Sequence, residues 1–199
     1  MLYQTFTLLF GFVVGAQETW DKNIMNVVNT TDRTWIYSGT RNGSEYKCAY
    51  YSKPRISCLH QSCFFSYFYY FEKNCTKQRE TRVAEIQKEC LVMDYRKDPC
   101  IVTRDNTTIH EIDSKVLLYW DSEKQCGVYK ILPAPSRNIS SGDPSGKPHC
   151  ELHVRGKAIK ERRTKARYFS HCEEKLYQLC NEEYIKLAYY SDLCYEKKH

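Results

Sequence analysis

Short runs rich in aromatic and β-branched residues recur along the middle of the chain, and polar or turn-forming residues separate them. Such runs are typical of β-strands. Residues 79–88 alternate most clearly, with Val83 and Glu85 on one face and Ala84 and Ile86 on the other. The pattern predicts strands at residues 33–41, 45–52, 63–72, 79–88, 90–95, 100–104, 115–121, 124–132 and 149–155.

The segments between these runs carry turn and loop signals. Asn42-Gly43 predicts a hairpin turn, Ser122-Glu123 predicts a tight one, and Lys97-Asp98-Pro99 separates two short strands. Residues 133–148 contain four of the six prolines and predict a long exposed loop. Residues 17–29 predict a helical turn. Helical spacing near the end predicts a helix over 172–189 whose apolar face carries Cys172, Leu176, Leu179, Cys180 and Leu187.

Consecutive short strands followed by one helix predict a mainly β fold. We expect an eight-stranded antiparallel barrel with the C-terminal helix packed against its outside. A barrel of eight strands is just wide enough inside to hold one small ligand.

The composition and the cysteines indicate the compartment. The 199 residues include 42% hydrophobic residues and 11 cysteines, with a net charge of +6 that is too diffuse to indicate nucleic-acid binding. Residues 1–16 are uncharged, contain a short apolar core and end in Val14-Gly15-Ala16, which predicts a signal peptide and a mature domain at 17–199. Secretion also fits five glycosylation sequons, at Asn29, Asn42, Asn74, Asn106 and Asn138.

Catalytic and metal-binding motifs are missing from the sequence. It contains no glycine-rich phosphate loop, no His-Glu-x-x-His segment and no nucleophile elbow. Cys58, His60 and Cys63 superficially resemble a metal cluster, but disulfide bonding is the better interpretation in a secreted chain. We therefore expect a protein that is not an enzyme, with no cofactor and no metal. Eleven cysteines cannot all pair within the chain, so at least one is free or pairs between molecules.

Several segments, taken in order, resemble the tick salivary lipocalins, the group that contains the histamine-binding proteins. They are the segment around Trp20, the early strand with Cys48, the hairpin segment Gln125-Cys126-Gly127-Val128-Tyr129, the strand Cys150-Glu151-Leu152-His153 and the ending with Cys172, Cys180 and Cys194. The resemblance implies a lipocalin barrel, secreted in saliva as a glycoprotein, that evades host defence by sequestering small mediators. It also implies the bridges Cys48–Cys194 and Cys126–Cys172. Cys150 and Cys180 are left over in the same C-terminal half, so we expect them to form a third bridge, and the pairing of Cys58, Cys63, Cys75, Cys90 and Cys100 stays open.

The motifs with which the group binds its ligands are only partly retained in this sequence. The amine binders of the group use two acidic motifs, and here Glu151 is retained in one of them while Glu18 precedes Trp20 in the other. Histamine or serotonin would need such a carboxylate and aromatic faces. We expect a pocket lined by Glu151, Trp35, Tyr37, Tyr119 and Tyr129. A lipid mediator such as a leukotriene would instead need a long apolar pocket and a cation, and the aromatic run 63–71 and the net charge of +6 fit that alternative as well as they fit the amine. The amine ranks first because Glu151 and Trp20 are retained.

The segment Arg155–Arg167 contains seven cations opposed only by Glu161. It is either a solvated loop between the last strand and the helix or a contact for an anionic surface or an acidic host protein. A protein-binding decoy that uses this run and the loop 133–148 is therefore a second functional class. No nucleic-acid partner and no transmembrane segment are expected.

Overall fold

The computed structural model describes residues 24–40, 47–59, 62–73, 76–91, 97–134, 147–162, 169–180, 187–191 and 194. A helical turn at 24–28 precedes the first strand. The strands are β1 (Thr34–Gly39), β2 (Tyr50–Leu59), β3 (Ser62–Lys73), β4 (Thr76–Leu91), β5 (Lys97–Asp105), β6 (Glu111–Asp121), β7 (Cys126–Pro133), β8 (His149–Arg155) and β9 (Leu187–Ala188). The helices are α1 (Gly156–Arg162) and α2 (Ser170–Cys180).

Strands β1 to β8 form a closed antiparallel barrel. Each strand from β2 to β7 pairs with the next one along the chain, and β1 pairs with both β8 and β2 to close the ring. The short strand β9 pairs with the far end of β1, where Leu187 lies opposite Gly39. The expected mainly β barrel with a C-terminal helix is confirmed.

Alternation along the strands divides the apolar residues into an interior cluster and an outer cluster. The interior cluster fills the barrel and is capped by the helical turn, and its members include Ile24, Val27, Val28, Ile36, Phe65, Tyr67, Tyr69, Ala84, Ile86, Ile101, Tyr129 and Ile131. The outer cluster lies between the barrel wall and α2, and its members include Trp35, Tyr37, Tyr50, Val128, Leu152, Val154, Ile159, Phe169 and Leu176. The side chains that can meet an internal ligand therefore belong to the first set.

Three disulfide bridges join the outer elements to the barrel wall. Cys126–Cys172 and Cys150–Cys180 attach α2 to β7 and β8, and Cys48–Cys194 attaches the end of the chain near the start of β2. The first and third of these are the bridges that the resemblance implied, and Cys150–Cys180 is the one expected from the remaining cysteines of the C-terminal half. Cys63 and Cys100 are also disulfide-bonded.

Several predicted boundaries were wrong for identifiable reasons. Strand β2 begins at Tyr50, not at residue 45, because Lys47 and Cys48 form a turn in which Cys48 has a φ of 55°. The turn after β6 spans four residues, 122–125, and Gln125 takes a φ of 54° there. Both residues lie in the left-handed region, which ends regular strand geometry.

Pro99 lies inside β5, where a break was expected. It is tolerated because both neighbouring ladders skip it: the pairing with β4 shifts between Gln87 and Cys90, and the pairing with β6 starts only at Cys100. A proline in a strand is confined to such positions because it has no N–H to donate.

The C-terminal helix is shorter than predicted, because α2 ends at Cys180 and Leu187 lies in β9. Leu179, assigned to its apolar face, is 44% exposed. The basic run 155–167 is not a simple loop: its first half forms the end of β8 and α1, whose Ala158 and Ile159 are buried.

Several expectations fall outside the described residues: the signal peptide, Trp20, the Asn42-Gly43 turn, residues 135–146 of the loop, residues 163–167 of the basic run, and the sequons at Asn42, Asn74 and Asn138. Asn29 and Asn106 are exposed, and their glycosylation stays a prediction. Among the described helices, none has the length and hydropathy to cross a bilayer.

Candidate functional site

Strand β8 places three polar side chains inside the barrel. His149, Glu151 and His153 are all buried, with relative exposures of 6%, 2% and 0%. Their neighbours Cys150 and Leu152 point outward into the outer cluster. The side-chain period of two in a strand produces this separation, so the sequence His-Cys-Glu-Leu-His contributes every polar member to one face.

Glu151 is the centre of this group. Its Oε2 lies 2.7 Å from Nε2 of His153, and its Oε1 lies 3.4 Å from Nε2 of His149. The first distance is that of a short, charge-assisted hydrogen bond, whereas the second is long. Oε1 is therefore the more weakly held oxygen of the carboxylate.

The hydrogen bonds of His153 assign its tautomer. Nδ1 lies 2.7 Å from the hydroxyl oxygen of Tyr51 and Nε2 faces Glu151. The neutral ring satisfies both contacts when Nε2–H donates to Glu151 and Nδ1 accepts the hydroxyl hydrogen of Tyr51. The ring of Tyr129 packs against that of His153 with centroids 4.5 Å apart.

Burial and pairing shift the ionisation of this group. Burial alone would raise the pKa of Glu151, but hydrogen bonds from His149 and His153, together with the charge of Lys115, hold that pKa well below its usual value. The pKa of His153 is lowered, because burial disfavours the imidazolium more than Glu151 favours it. Burial raises the pKa of Tyr51 and of Tyr129. The site therefore holds an ionised carboxylate beside the neutral ring of His153 and the protonated hydroxyls of Tyr51 and Tyr129.

A second polar group projects inward from β4 and β6. Lys115 lies 3.6 Å from a carboxylate oxygen of Asp113, and both side chains are almost fully buried. Burial opposes the charge of Lys115, but Asp113, Tyr67 and Glu151 raise its pKa overall. The guanidinium of Arg82 lies 3.7 Å from the centroid of the Tyr69 ring. The interior therefore carries fixed cations as well as carboxylates.

A cavity opens at the end of the barrel beside the helical turn. The enclosed part of this cavity has a volume of about 30 Å³, and the whole opening, including space open to solvent, measures about 450 Å³. The lining residues are Val28, Thr30, Asp32, Thr34, Tyr51, Phe65, Tyr67, Ile101, Lys115 and Tyr129. Tyr51 and Tyr129 also contact His153, so one layer of tyrosine rings stands between the cavity and Glu151.

Arg155 holds the helical turn over this end of the barrel. Its guanidinium donates to the backbone carbonyls of Asn26 and Val27 at 3.0 and 2.9 Å, and it stacks on Trp120 at 5.0 Å. Arg155 is therefore a structural residue here and is not an exposed member of a basic surface.

The structure brings together two of the five predicted lining residues. Glu151 and Tyr129 face the interior, and the register pairs them across β8 and β7. Trp35 and Tyr37 flank the inward Ile36 on β1, so they point outward and pack on Tyr190. Their assignment to the pocket is corrected because the alternation of β1 has the opposite phase.

Tyr119 is likewise corrected to the outer face. A register shift between Leu117 and Tyr119 reverses the alternation within β6, so Trp120 joins the interior cluster instead. The ring of Tyr119 lies 5.9 Å from that of His171 on α2. A β-bulge of this kind leaves no clear signal in the sequence.

The site also contains residues that were not predicted to line it. The positions two residues on either side of Glu151 identify His149 and His153, which strand alternation alone could have added. Tyr51 and Lys115 were missed, because a tyrosine at the start of β2 and a lysine in a half-polar strand look exposed in the sequence. Within the described residues, no cluster of potential ligands has the geometry to hold a metal ion.

The closed eight-stranded barrel with an outer helix is a lipocalin-type barrel. No protein-family model matches the sequence, and no curated protein matches it either. Among solved structures, the chain is similar to the crystal structure of the serotonin complex of AM182, with a TM-score of 0.53 and 16% sequence identity, over 82% of this chain and 85% of that one. At this identity the likeness shows a shared fold.

Proposed function

We propose that this barrel is a secreted sequestering protein that binds a small biogenic amine, serotonin or histamine, inside the barrel without chemical turnover. The observation that carries the proposal is Glu151, a carboxylate that is 2% exposed and faces an interior lined with aromatic rings. A buried carboxylate with a lowered pKa is a suitable partner for an ammonium group that leaves water.

The geometry of Glu151 leaves one oxygen suitable for the ligand. Oε2 is held by His153 at 2.7 Å, whereas the contact of Oε1 with His149 is 3.4 Å long. An ammonium at Oε1 would gain a charge-assisted hydrogen bond and leave the His153 bond intact. The rings of Tyr51 and Tyr129 would have to move aside, and they would then offer their faces to the cation.

Two further observations support the proposal. The solved structure of AM182, a protein of the same fold, is a serotonin complex, which supports an amine as the ligand class. The three disulfide bridges are typical of proteins made in an oxidising compartment, which supports secretion. A protein that acts by mass action alone needs no catalytic group.

Calorimetry on the folded, disulfide-bonded protein tests this proposal. Serotonin and histamine are titrated at pH 7.4, with tryptamine acetylated at its amine as a neutral control. We expect one of the amines to bind and the acetylated compound, which lacks the positive charge, to bind at least about tenfold more weakly. Equal binding of the charged and the neutral compound would contradict a site built on Glu151.

Lys115 favours a second candidate, an amphipathic anion such as a fatty-acid mediator. Its side chain lines the cavity among Phe65, Tyr67 and Ile101, so a carboxylate could reach it from an apolar pocket. Binding of a leukotriene that is lost in Lys115→Met, together with no binding of either amine, would establish this alternative and exclude the first.

A further inference from the structure

A row of aromatic rings runs across the outside of β2 and β3, away from the barrel interior. Tyr50 and Tyr70 are register partners, and their rings stack with centroids 4.6 Å apart at an angle of 13°. Phe68 continues the row along β3, at 6.4 Å from Tyr70. Strand pairing fixes these rings in line, because neighbouring strands lie about 4.8 Å apart.

Three cations stand over these rings. Lys77 lies 5.3 Å from the centroid of Tyr50 and 4.9 Å from that of Tyr70, and Arg79 lies 5.0 Å from that of Phe68. Arg33, which precedes β1, lies 5.0 Å from the centroid of Tyr50. We call Arg33, Lys77 and Arg79 the cationic strip.

Three acidic residues are neighbours of the strip: Asp32 precedes Arg33, Glu72 lies opposite Lys77 and Glu80 follows Arg79. Among the described side chains, none of its three members forms an ion pair with a carboxylate. Glu80 of the same strand is bound to Arg82 at 2.9 Å, and Glu72 is the cross-strand partner of Lys77. Lys77 and Arg79 are exposed, so their charges are available to a partner in solution.

We propose that the cationic strip binds a sulfated polysaccharide chain. Lys77 and Arg79 lie two residues apart on one strand, about 7 Å along it, and Arg33 extends the row toward β1. A linear polymer with sulfate groups at regular intervals can meet such a row of fixed cations. Cation–π contact holds each positive group in place, so less side-chain freedom is lost on binding.

The aromatic rings of Tyr50, Phe68 and Tyr70 are covered by cations, and this favours a sulfated polysaccharide over other anionic partners. Nucleic-acid bases bind by stacking on open aromatic faces, but here cations already cover the rings. Insertion into a membrane needs exposed apolar side chains, whereas Tyr50 is 5% exposed and Phe68 and Tyr70 are only partly exposed. The three cations therefore cover the rings beside them, and the exposed aromatic residue on this face of β3, Phe64, lies further along the strand, opposite Glu85.

The strip continues toward α1 at its Arg33 end. The backbone N–H of Lys157 donates to Asp32 at 2.7 Å, and that of Gly156 donates to the carbonyl of Arg33 at 2.7 Å. The exposed Lys157 thus follows Arg33 closely. A chain bound along the strip would meet this fourth cation next.

Surface plasmon resonance with immobilised heparin tests the proposal on the full, disulfide-bonded protein. We expect binding that weakens with added salt, and Lys77→Gln/Arg79→Gln should weaken it at least about threefold. The matched control is Lys147→Gln/Lys175→Gln, which removes the same charge at the opposite end of the barrel and on α2. Far-UV circular dichroism checks that both variants remain folded.

Several results of these binding experiments would contradict the proposed binding of a sulfated polysaccharide. Equal losses in the two double variants would mean diffuse attraction to net charge and would overturn a specific strip. Binding to anionic phosphatidylserine vesicles or to single-stranded DNA, with none to heparin, would also overturn it. Equal binding of heparin and of unsulfated hyaluronan would contradict the role of sulfate groups.

Discussion

Ile109 is a β-branched residue in the left-handed region, with a φ of 58°, and its side chain is 72% exposed. It ends the turn between β5 and β6, in which Asp105 accepts hydrogen bonds from the backbone N–H groups of Thr107 and Thr108. The turn after β6 repeats this arrangement: Asp121 accepts from Glu123 and Lys124, and Gln125 takes the left-handed position. The final position of both turns suits glycine best.

Replacing Ile109 with glycine should therefore stabilise the protein. The strain relieved in the left-handed conformation is about 1–2 kcal/mol, and the greater freedom of glycine in the unfolded chain offsets part of it. We expect Ile109→Gly to raise the free energy of unfolding by about 0.5–1 kcal/mol in urea denaturation. The control Thr107→Gly, in the same turn, should bring no gain, and a loss of stability in Ile109→Gly would contradict the account.

His153 should make the protein sensitive to mild acid. Its folded pKa lies below the ordinary value of 6.5, so the unfolded state binds more protons once the pH falls below that value. Stability should therefore decrease on acidification, by at most about 1 kcal/mol between pH 6.5 and 5.5. Below the ordinary value of 4.5 for Glu151, whose folded pKa is also lowered, the loss should continue.

Urea unfolding of His153→Gln at pH 7.5 and 5.5 measures this contribution. The difference in unfolding free energy between the two pH values should shrink relative to the native protein, whatever the absolute stability of the variant. His171→Gln, at an exposed position on α2, serves as the control and should keep the native difference. An unchanged difference in His153→Gln would show that His153 does not carry the pH dependence.

At the scale of elements, Gly39 allows β1, β8 and the segment after β9 to meet closely. A Cβ at this position would lie 2.6 Å from Cε2 of Tyr189 and 2.9 Å from the carbonyl oxygen of Cys150. The Tyr189 ring could shift only by disturbing the interior cluster, and the backbone oxygen is fixed by the sheet. The approach therefore requires glycine.

We expect Gly39→Ala to lower the free energy of unfolding by about 1–3 kcal/mol, the usual cost of overpacking. Ser38→Ala is the matched control on the same strand. The hydroxyl of Ser38 is buried and has no hydrogen-bond partner among the described residues, so its removal should be neutral or stabilising. Thermal unfolding of both variants measures these changes. Equal stability of Gly39→Ala and the native protein would contradict a requirement for glycine where Tyr189 and Cys150 approach Gly39.

The strands show which parts of the fold the sequence could predict. Strand β8 was predicted to the residue, because its residues alternate clearly and Pro148 directly precedes it. Strand β5 was not, because the effect of Pro99 depends on register shifts in two neighbouring ladders. The barrel architecture followed from the order of the strands, whereas its details depend on long-range pairing that a local pattern does not contain.

The candidate site was predictable to a similar degree. Glu151 and its alternation with His153 follow from the strand period. Trp35, Tyr37 and Tyr119 were assigned by residue type, and aromatic residues suit the outer cluster under α2 as well as they suit a pocket. Only the register of β1 and the shift in β6 distinguish the two faces.

At the scale of the whole molecule, the bridges close loops of different length. Cys48–Cys194 joins positions 146 residues apart, and Cys150–Cys180 joins positions 30 apart. Loop entropy assigns about 5 kcal/mol to the first and about 3.6 kcal/mol to the second. Double replacement by alanine should therefore cost more stability at Cys48 and Cys194 than at Cys150 and Cys180. Denaturation of the two variants without reductant tests this, and the reverse order would show that local packing of α2 outweighs loop closure.

The central claim is that the ionised carboxylate of Glu151 holds an amine inside the barrel. The change Glu151→Gln keeps the size and the hydrogen bonding of the side chain but removes its charge. Glu85→Gln makes the same change in a half-buried residue that is bound to Arg104 at 3.0 Å and lies on the outer face.

Isothermal titration calorimetry with serotonin and histamine on the native protein and both variants is the most direct measurement. We expect Glu151→Gln to weaken amine binding by about 1.5–3 kcal/mol, the contribution of a hydrogen bond to a charged group, while Glu85→Gln leaves it unchanged. Unchanged amine binding in a folded Glu151→Gln protein would contradict the account.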